Sequence, residues 1–349
     1  MVGLKHQYID RDTSAVRTEP LFGDRFIQWI YQPPWEDAGW LCRTLSSARL
    51  SRALAFFNYD MPFANRISGA HRFMTSLGID LSDCLDEPAT LDTPRKVFER
   101  KVRYWERRPM KDDPGTVVSP CDARLLLGSF VTTSSLFLKN KFFELDELLG
   151  HSHWTALFRN GSYAIFRLTP DKYHYNHLPV TGVPIDCYEV AGRYHSCNPG
   201  AVMVASPYSK NQRVVTIIHT DIPGGSAVGV VAMIEIVALM IGRVEQCYSD
   251  HCYDNPRPLS KGLLLRKGQP KSLYRPGSST TVLLFQENRI EFAPDLVRNL
   301  LRSDLVSRYS HGFGRPLIET DVKVRSTIGY RAASREDLDS KGPWSTAWC

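Results

Sequence analysis

Between Val117 and Phe285 the chain takes on a texture that limits what it can fold into. Short runs rich in Val, Ile, Leu, Phe and Tyr alternate with clusters of Gly, Pro and Asn. Residues 124–131, 163–168, 201–204, 213–218, 228–236 and 280–285 are strand-length runs bounded by turn residues, and the pattern predicts β-strands. Helical periodicity does not regularly separate them, which argues against a parallel, doubly wound sheet. The expected fold class is α+β, with a mainly antiparallel β-rich core.

Residues 20–110 read mainly as helix. Trp40, Leu41 and Leu45, then Leu50, Leu54 and Phe57, recur at helical spacing. Residues 93–107 predict a charged helix with Pro94 in its first turn. The chain therefore divides into an N-terminal helical region, 1–110, and a β-rich domain, 111–349. The helical layer either packs on the core or faces a membrane, and both readings stand. Beyond Phe285 one helix is expected over 294–307. A polar stretch with Gly312, Gly314 and Pro316 follows, and residues 332–349 have no assignment.

Hydrophobic residues make up 43% of the 349 and charged residues 23%, so a packed globular chain is expected rather than a disordered one. The net charge of +6 is mixed in sign along the chain. No Lys/Arg stripe carries interleaved aromatics, so nucleic acid is not an expected partner. The cysteines are scattered and do not form a disulfide framework. Cys247, His251 and Cys252 lie close in sequence, but no second ligand pair has zinc spacing. Plain loop thiols are the simpler reading, and no metal is expected.

The first twenty residues are polar and charged, without an apolar run of signal-peptide type. No uncharged apolar stretch reaches the roughly 18 residues of a spanning helix. Glu235 interrupts the most apolar window, 227–241. A reducing cytoplasmic setting fits best, and any membrane contact would then be peripheral. Trp29, Trp35 and Trp40 are suited to a lipid interface.

Three segments carry candidate chemistry. The first is Ser119-Pro120-Cys121-Asp122-Ala123-Arg124, where an Asp before a strand is by itself most simply a turn residue. The second is Tyr173-His174-Tyr175-Asn176-His177-Leu178-Pro179, closing at Gly182. Its histidines could shuttle protons, and alone they are most simply a surface or core pair. The third runs from Lys267-Gly268 through Tyr274-Arg275-Pro276 to Gly277-Ser278-Ser279-Thr280. Gly-Ser-Ser before a strand is a common turn. It also suits backbone self-cleavage, since Gly tolerates strained angles and leaves its carbonyl uncovered. The Ser hydroxyl needs a base, and an Asp that orients a His completes such a set.

Taken in order, the three segments resemble the phosphatidylserine decarboxylases. That family typically shows Ser-Pro-x-Asp-Gly, then Tyr-His-x-x-His-x-Pro-x-x-Gly, then Lys-Gly followed at fixed distance by Gly-Ser-Thr or Gly-Ser-Ser. Weaker echoes are 142–150, Arg167-Leu168 with Pro170, Asn198-Pro199, and Asn211-Gln212-Arg213-Val214-Val215. The resemblance implies that Asp122 orients His177 and that His177 deprotonates Ser278. The Ser278 oxygen then attacks the Gly277 carbonyl, and the peptide bond becomes an ester. Elimination frees the Gly277 carboxylate and leaves a dehydroalanine. Its hydrolysis releases ammonia and leaves a pyruvoyl group at the new N-terminus. That covalent cofactor would serve a decarboxylase, with His174 returning a proton to the substrate carbon.

Four departures from the family pattern suggest a divergent branch: Ala123, Tyr175-Asn176, Ser272 and Pro276. Counting forward from Lys267-Gly268 gives Ser278 as nucleophile, whereas counting back from Phe285 gives Ser279. Ser278 is preferred because Gly277 supplies the carbonyl. A hydrolase built on the same Asp, His and Ser is disfavoured, because no Gly-x-Ser-x-Gly elbow is present. The leading expectation is conversion of phosphatidylserine to phosphatidylethanolamine. The alternative is the same chemistry on a free amino acid, as in fungal tryptophan decarboxylases, because fold does not fix substrate. A non-catalytic binding protein on this scaffold is a third reading. A homodimer is implied by the resemblance alone.

Overall fold

The computed structural model describes residues 5–20, 79–137, 142–238, 243–277 and 279–333. In chain order, β1 (Gln7–Asp10) and β2 (Val16–Thr18) precede two short helices, α1 (Pro94–Phe98) and α2 (Tyr104–Arg107). Then come β3 (Thr116–Val118), β4 (Ala123–Ser129), α3 (Leu145–Leu148), α4 (Thr155–Phe158), β5 (Ser162–Leu168), β6 (Tyr175–His177) and β7 (Val183–Val190). Helices α5 (Pro199–Ala205) and α6 (Pro207–Lys210) lead to β8 (Arg213–His219), β9 (Val230–Val237), β10 (Val244–Gln246) and β11 (Pro270–Tyr274). The rest is β12 (Ser279–Phe285), β13 (Ile290–Phe292), α7 (Pro294–Leu300), α8 (Arg308–Phe313), β14 (Glu319–Val322) and β15 (Thr327–Arg331).

Nine strands form one sheet in the order β2-β1-β14-β4-β5-β12-β9-β8-β7. Only the β1–β14 pairing within it is parallel. The expected α+β class with a mainly antiparallel core is what the chain adopts. Strand β12 lies inside the sheet, with Ser279 opposite Leu168 and Val237 and Phe285 opposite Ser162 and Val231. All seven of its residues are buried. Cover on both faces explains why its sequence is a continuous apolar run rather than an alternation. Two three-stranded sheets, β10-β11-β6 and β13-β15-β3, complete the strands. One hydrophobic core joins the large sheet to Leu148, Phe158, Tyr208, Leu296 and Tyr309 of the helices.

Several expectations need correction. Residues 201–204 lie in α5, not in a strand. Pro199 opens that helix, and the Asn198 side chain accepts from the Gly200 N–H, a cap that outweighs the β-branched residues after it. Residues 93–107 form two helices rather than one. Thr93 caps α1 as its sequence suggests. The chain then breaks where Arg100 turns inward and donates to the carbonyls of Val97, Asp171 and Lys172. The helix expected over 294–307 stops at Leu300, whose carbonyl accepts from Ile318 N–H in the lead to β14. A separate helix, α8, starts after the Ser307 cap. Strands β1, β2, β14 and β15 were not anticipated. The apolar face assigned to Trp40 through Phe57 lies outside the described residues.

Candidate active site

Hydrogen bonds bring the three motifs together. His177 N–H donates to the Pro120 carbonyl at 2.6 Å, and Val118 N–H donates to the Pro179 carbonyl at 3.0 Å. These tie the first motif to the second. Leu178 N–H donates to Gln269 (2.9 Å), Gly268 N–H to Leu178 (2.8 Å), and Tyr274 N–H to His174 (3.0 Å), tying the second to the third. Strand β6 pairs with β11, and the chain runs from β11 through Gly277 into β12. Gly277 has φ +147°, a backbone angle that side-chain-bearing residues rarely adopt. Ser278 lies outside the described residues.

His177 is fully buried, and burial pushes its pKa down to about 3, so the ring is neutral near pH 7. Its Nδ1 lies 2.9 Å from the Gly268 carbonyl, which can only accept, so Nδ1 carries the proton. Nε2 then holds the lone pair, and the Tyr173 hydroxyl donates to it at 2.9 Å. Asp122 is also buried, but its carboxylate faces elsewhere. Arg108 Nε and Nη2 donate to it at 3.2 and 2.9 Å, and Val324 N–H donates at 2.7 Å. Burial would raise the Asp122 pKa, and the Arg108 charge and hydrogen bonds overcome that, holding it below the usual carboxylate range. Asp122 and His177 thus sit on neighbouring segments with separate partners. In this structure the Gly268 carbonyl, not the expected Asp122, fixes the tautomer of His177.

His174 is fully buried and stacks on Phe98, with ring centroids 3.4 Å apart. Burial first, and the Arg100 charge second, lower its pKa to about 3. Ser279 Oγ, at the start of β12, has no hydrogen-bond partner among the described residues. Buried polar atoms without partners are unusual and mark a place where another polar group fits. A cleft of about 620 Å³ opens beside the first two motifs, lined in part by Asp122, Tyr173, Arg100, Arg108, Lys172 and Asp321.

Sequence reasoning did not single out Arg108, Tyr253 or Lys271, and it gave Glu235, Ser272 and Asn176 no role in the site. Glu235, Lys271 and Ser272 are all fully buried. Lys271 Nζ reaches Glu235 at 2.6 Å and Gln246 at 2.8 Å, while the Ser272 hydroxyl donates to Glu235. Asn176 Nδ2 donates to Glu235 and Ser272, and Asn176 Oδ1 accepts from Thr281 of β12 at 2.8 Å. An irregularity in the β11 register between Pro270 and Ser272 lets successive residues reach the same carboxylate. The departures at Asn176 and Ser272 were the available signal, together with the Glu that interrupts the apolar window. Cys247 is part of this surrounding, and burial raises its pKa to about 12, whereas His251 pairs with Asp254 at the surface.

The family model described as phosphatidylserine decarboxylase matches residues 95–302. The chain is similar to proteins named phosphatidylserine decarboxylase proenzyme in several bacteria. That of Desulfitobacterium hafniense (strain Y51) is 27% identical over 295 residues, covering 83% of this chain and 91% of the relative. That of Chlamydia pneumoniae is 28% identical over 308 residues, covering 84% and 92%. That of Chlamydia trachomatis (serovar D) is 26% identical over 335 residues, covering 94% and 98%.

Proposed function

The chain belongs to the phosphatidylserine decarboxylase family, and we propose that it is a proenzyme that cuts itself between Gly277 and Ser278 and then removes CO₂ from phosphatidylserine, leaving phosphatidylethanolamine. The observation that carries this reading is the convergence of three motifs, distant in sequence, along β11, the strand that leads into Gly277. Gly277, whose φ of +147° suits a glycine, supplies the carbonyl next to Ser278 and favours Ser278 over Ser279 as the nucleophile. A cut before Ser278 also leaves every β12 pairing in place.

A pyruvoyl group made from Ser278 suits this junction. The unpartnered Ser279 hydroxyl and the buried His174 ring offer polar contacts, and Gly277 supplies the backbone freedom that the cut requires. When present, the group supplies a carbonyl that takes up the electron pair left by CO₂. The protein residues do the rest. His177 Nε2, whose lone pair is set by the Gly268 tautomer lock, takes the Ser278 proton in exchange for the hydrogen bond it accepts from Tyr173 in this structure. Asp122 and Arg108 anchor the segment whose Pro120 carbonyl holds His177 in place. His174 returns a proton to the substrate carbon. A substrate carboxylate beside it would favour its protonated form, against the burial that keeps the free ring neutral.

The proposal includes peripheral contact with the bilayer that holds the lipid, and a homodimer as in the expectation from sequence. No helix of the described residues is long and apolar enough to cross a membrane. The test is intact mass spectrometry of the purified chain with assays on phosphatidylserine vesicles and on free serine and tryptophan. Two fragments meeting at 277/278, the smaller with a blocked N-terminus, and CO₂ release from the vesicles are expected. Ser278→Ala should give one uncut chain, and Ser279→Ala only slower cutting. The reverse pattern would move the nucleophile to Ser279, and turnover of a free amino acid alone would sink the lipid assignment.

A further inference from the structure

The hydrogen bonds around His177 continue past Tyr173. The Tyr173 hydroxyl lies 2.7 Å from the hydroxyl of Tyr253, in the segment between β10 and β11. The Tyr253 hydroxyl in turn meets both backbone groups of Val102. It accepts from Val102 N–H at 3.0 Å and lies 2.9 Å from the Val102 carbonyl. His177 and Tyr173 are fully buried, whereas Tyr253 is only partly so, with Lys101 Nζ 5.3 Å from its ring centroid.

The direction of each bond follows from donor and acceptor capacity. With Nδ1–H committed to Gly268, the neutral ring accepts at Nε2 from Tyr173 O–H. Tyr173 then accepts from Tyr253 O–H, and Tyr253 accepts from Val102 N–H. Protonation of His177 reverses the chain without leaving any group unpaired. Nε2–H donates to Tyr173, Tyr173 donates to Tyr253, and Tyr253 donates to the Val102 carbonyl. A backbone donor and a backbone acceptor at the same hydroxyl permit both orientations. A line that ended on a donor alone would permit only one.

We propose that the Tyr173 and Tyr253 hydroxyls form a two-way proton line between His177 Nε2 and the partly exposed end of the site. This rests on the reading of His177 as the base in self-cleavage. One proton entering at Tyr253 displaces the Tyr253 proton to Tyr173 and the Tyr173 proton to Nε2. Both hydroxyls stay neutral throughout, and the net result is one proton gained by the imidazole. The opposite shift discharges it. Burial raises both phenol pKa values well above the usual one, which keeps a free tyrosinate out of the path. Tyr173 and Tyr253 act through His177 and are relay residues rather than catalytic ones. Tyr253 lies outside the three motifs, so this role could not be read from them.

The test follows self-cleavage of the full chain during timed cell-free synthesis at several pH values, with thermal melting as the check on folding. Tyr253→Phe keeps the ring and removes only the hydroxyl. Cleavage slower by roughly a hundredfold or more, with a flattened pH dependence, is expected in a protein that still melts cooperatively, at a temperature lowered only by the lost Val102 hydrogen bonds. A native rate, or a slower rate with the native pH profile, would overturn the relay. If Tyr253→Phe does not fold, 3-fluorotyrosine at position 253 makes the phenol more acidic at nearly constant size. The pH dependence should then move to lower pH, and an unmoved profile would overturn the proposal. His177→Gln separates the two layers. Native cleavage by that variant would remove the base assignment itself, while arrested cleavage beside an unaffected Tyr253→Phe would remove only the line.

Discussion

Asp122 keeps its charge in a buried setting because Arg108 faces it with two nitrogens while also reaching Asp83. Removing one partner of a buried ion pair leaves an uncompensated charge and typically costs about 3–5 kcal/mol. Arg108→Met should therefore lower stability by about that amount in urea titration, and should lower cleavage as the Pro120 segment loosens. A loss within roughly 1 kcal/mol would mean that solvent reaches Asp122 and that Arg108 is not its anchor. The two histidines add a pH dependence of definite sign. Both are held neutral when folded, with pKa values lowered to about 3, while an unfolded histidine titrates near its usual 6.5. Below pH 6.5 the unfolded chain binds protons that the folded chain refuses. Their contribution is thus fully present above pH 6.5 and is lost as the pH falls toward 3, by about 1.4 kcal/mol per pH unit for each ring. Melting at pH 7 and pH 5 checks this, and His174→Phe, which keeps an aromatic ring against Phe98, should flatten the slope by about one ring's share.

At the scale of elements, β12 is held from behind as well as from its sides. Thr281 bonds Asn176, and Asn176 bonds the Glu235–Lys271 pair, so a charged cluster within the protein positions the strand that begins beside the proposed cleavage bond. Lys271→Met should cost about 3–5 kcal/mol by leaving Glu235 unpaired. Adding Glu235→Gln should recover part of the loss, because a neutral amide is cheaper to bury than a lone carboxylate. Equal stability of the single and double variants in chemical denaturation would show that the pair carries no charge coupling. This cluster also marks where the sequence stopped being readable. Strands β4, β5, β8, β9 and β12 are apolar runs and were legible as such. Strands β1 and β2 sit at a sheet edge with little burial, and β1 pairs with β14, which lies about three hundred positions later. Strand propensity is too dependent on such partners to be seen locally. The motifs showed Asp122, His174 and His177 because their order was informative. The partner of Asp122 and the hydroxyls behind His177 come from outside the motifs, and only folding brings them there.

At the scale of the whole molecule, the ends of the described chain lock the sheet together. Arg167 of β5 bonds both Glu19, just after β2, and Glu319 of β14, and His6 bonds Glu319 at 2.6 Å. The grouping of His6, Glu19 and Glu319 could be taken for a metal site, but the guanidinium of Arg167 already bonds both of its carboxylates. The same arrangement determines what a cut at 277/278 does. The smaller fragment would carry β12, β13, β14 and β15. Strand β12 is paired along its whole length to β5 and β9, and β14 lies between β1 and β4. Withdrawing that fragment would divide the nine-stranded sheet in two places and expose Val282, Leu283, Leu284 and Phe285, all fully buried. Those four side chains alone are worth roughly 6–12 kcal/mol of burial. The cleaved protein should therefore elute from gel filtration as one species containing both fragments, and the fragments should part only in denaturant. Separation in native buffer would mean that the cut product abandons this sheet, and the pairing of β12 would then belong to the uncut chain alone.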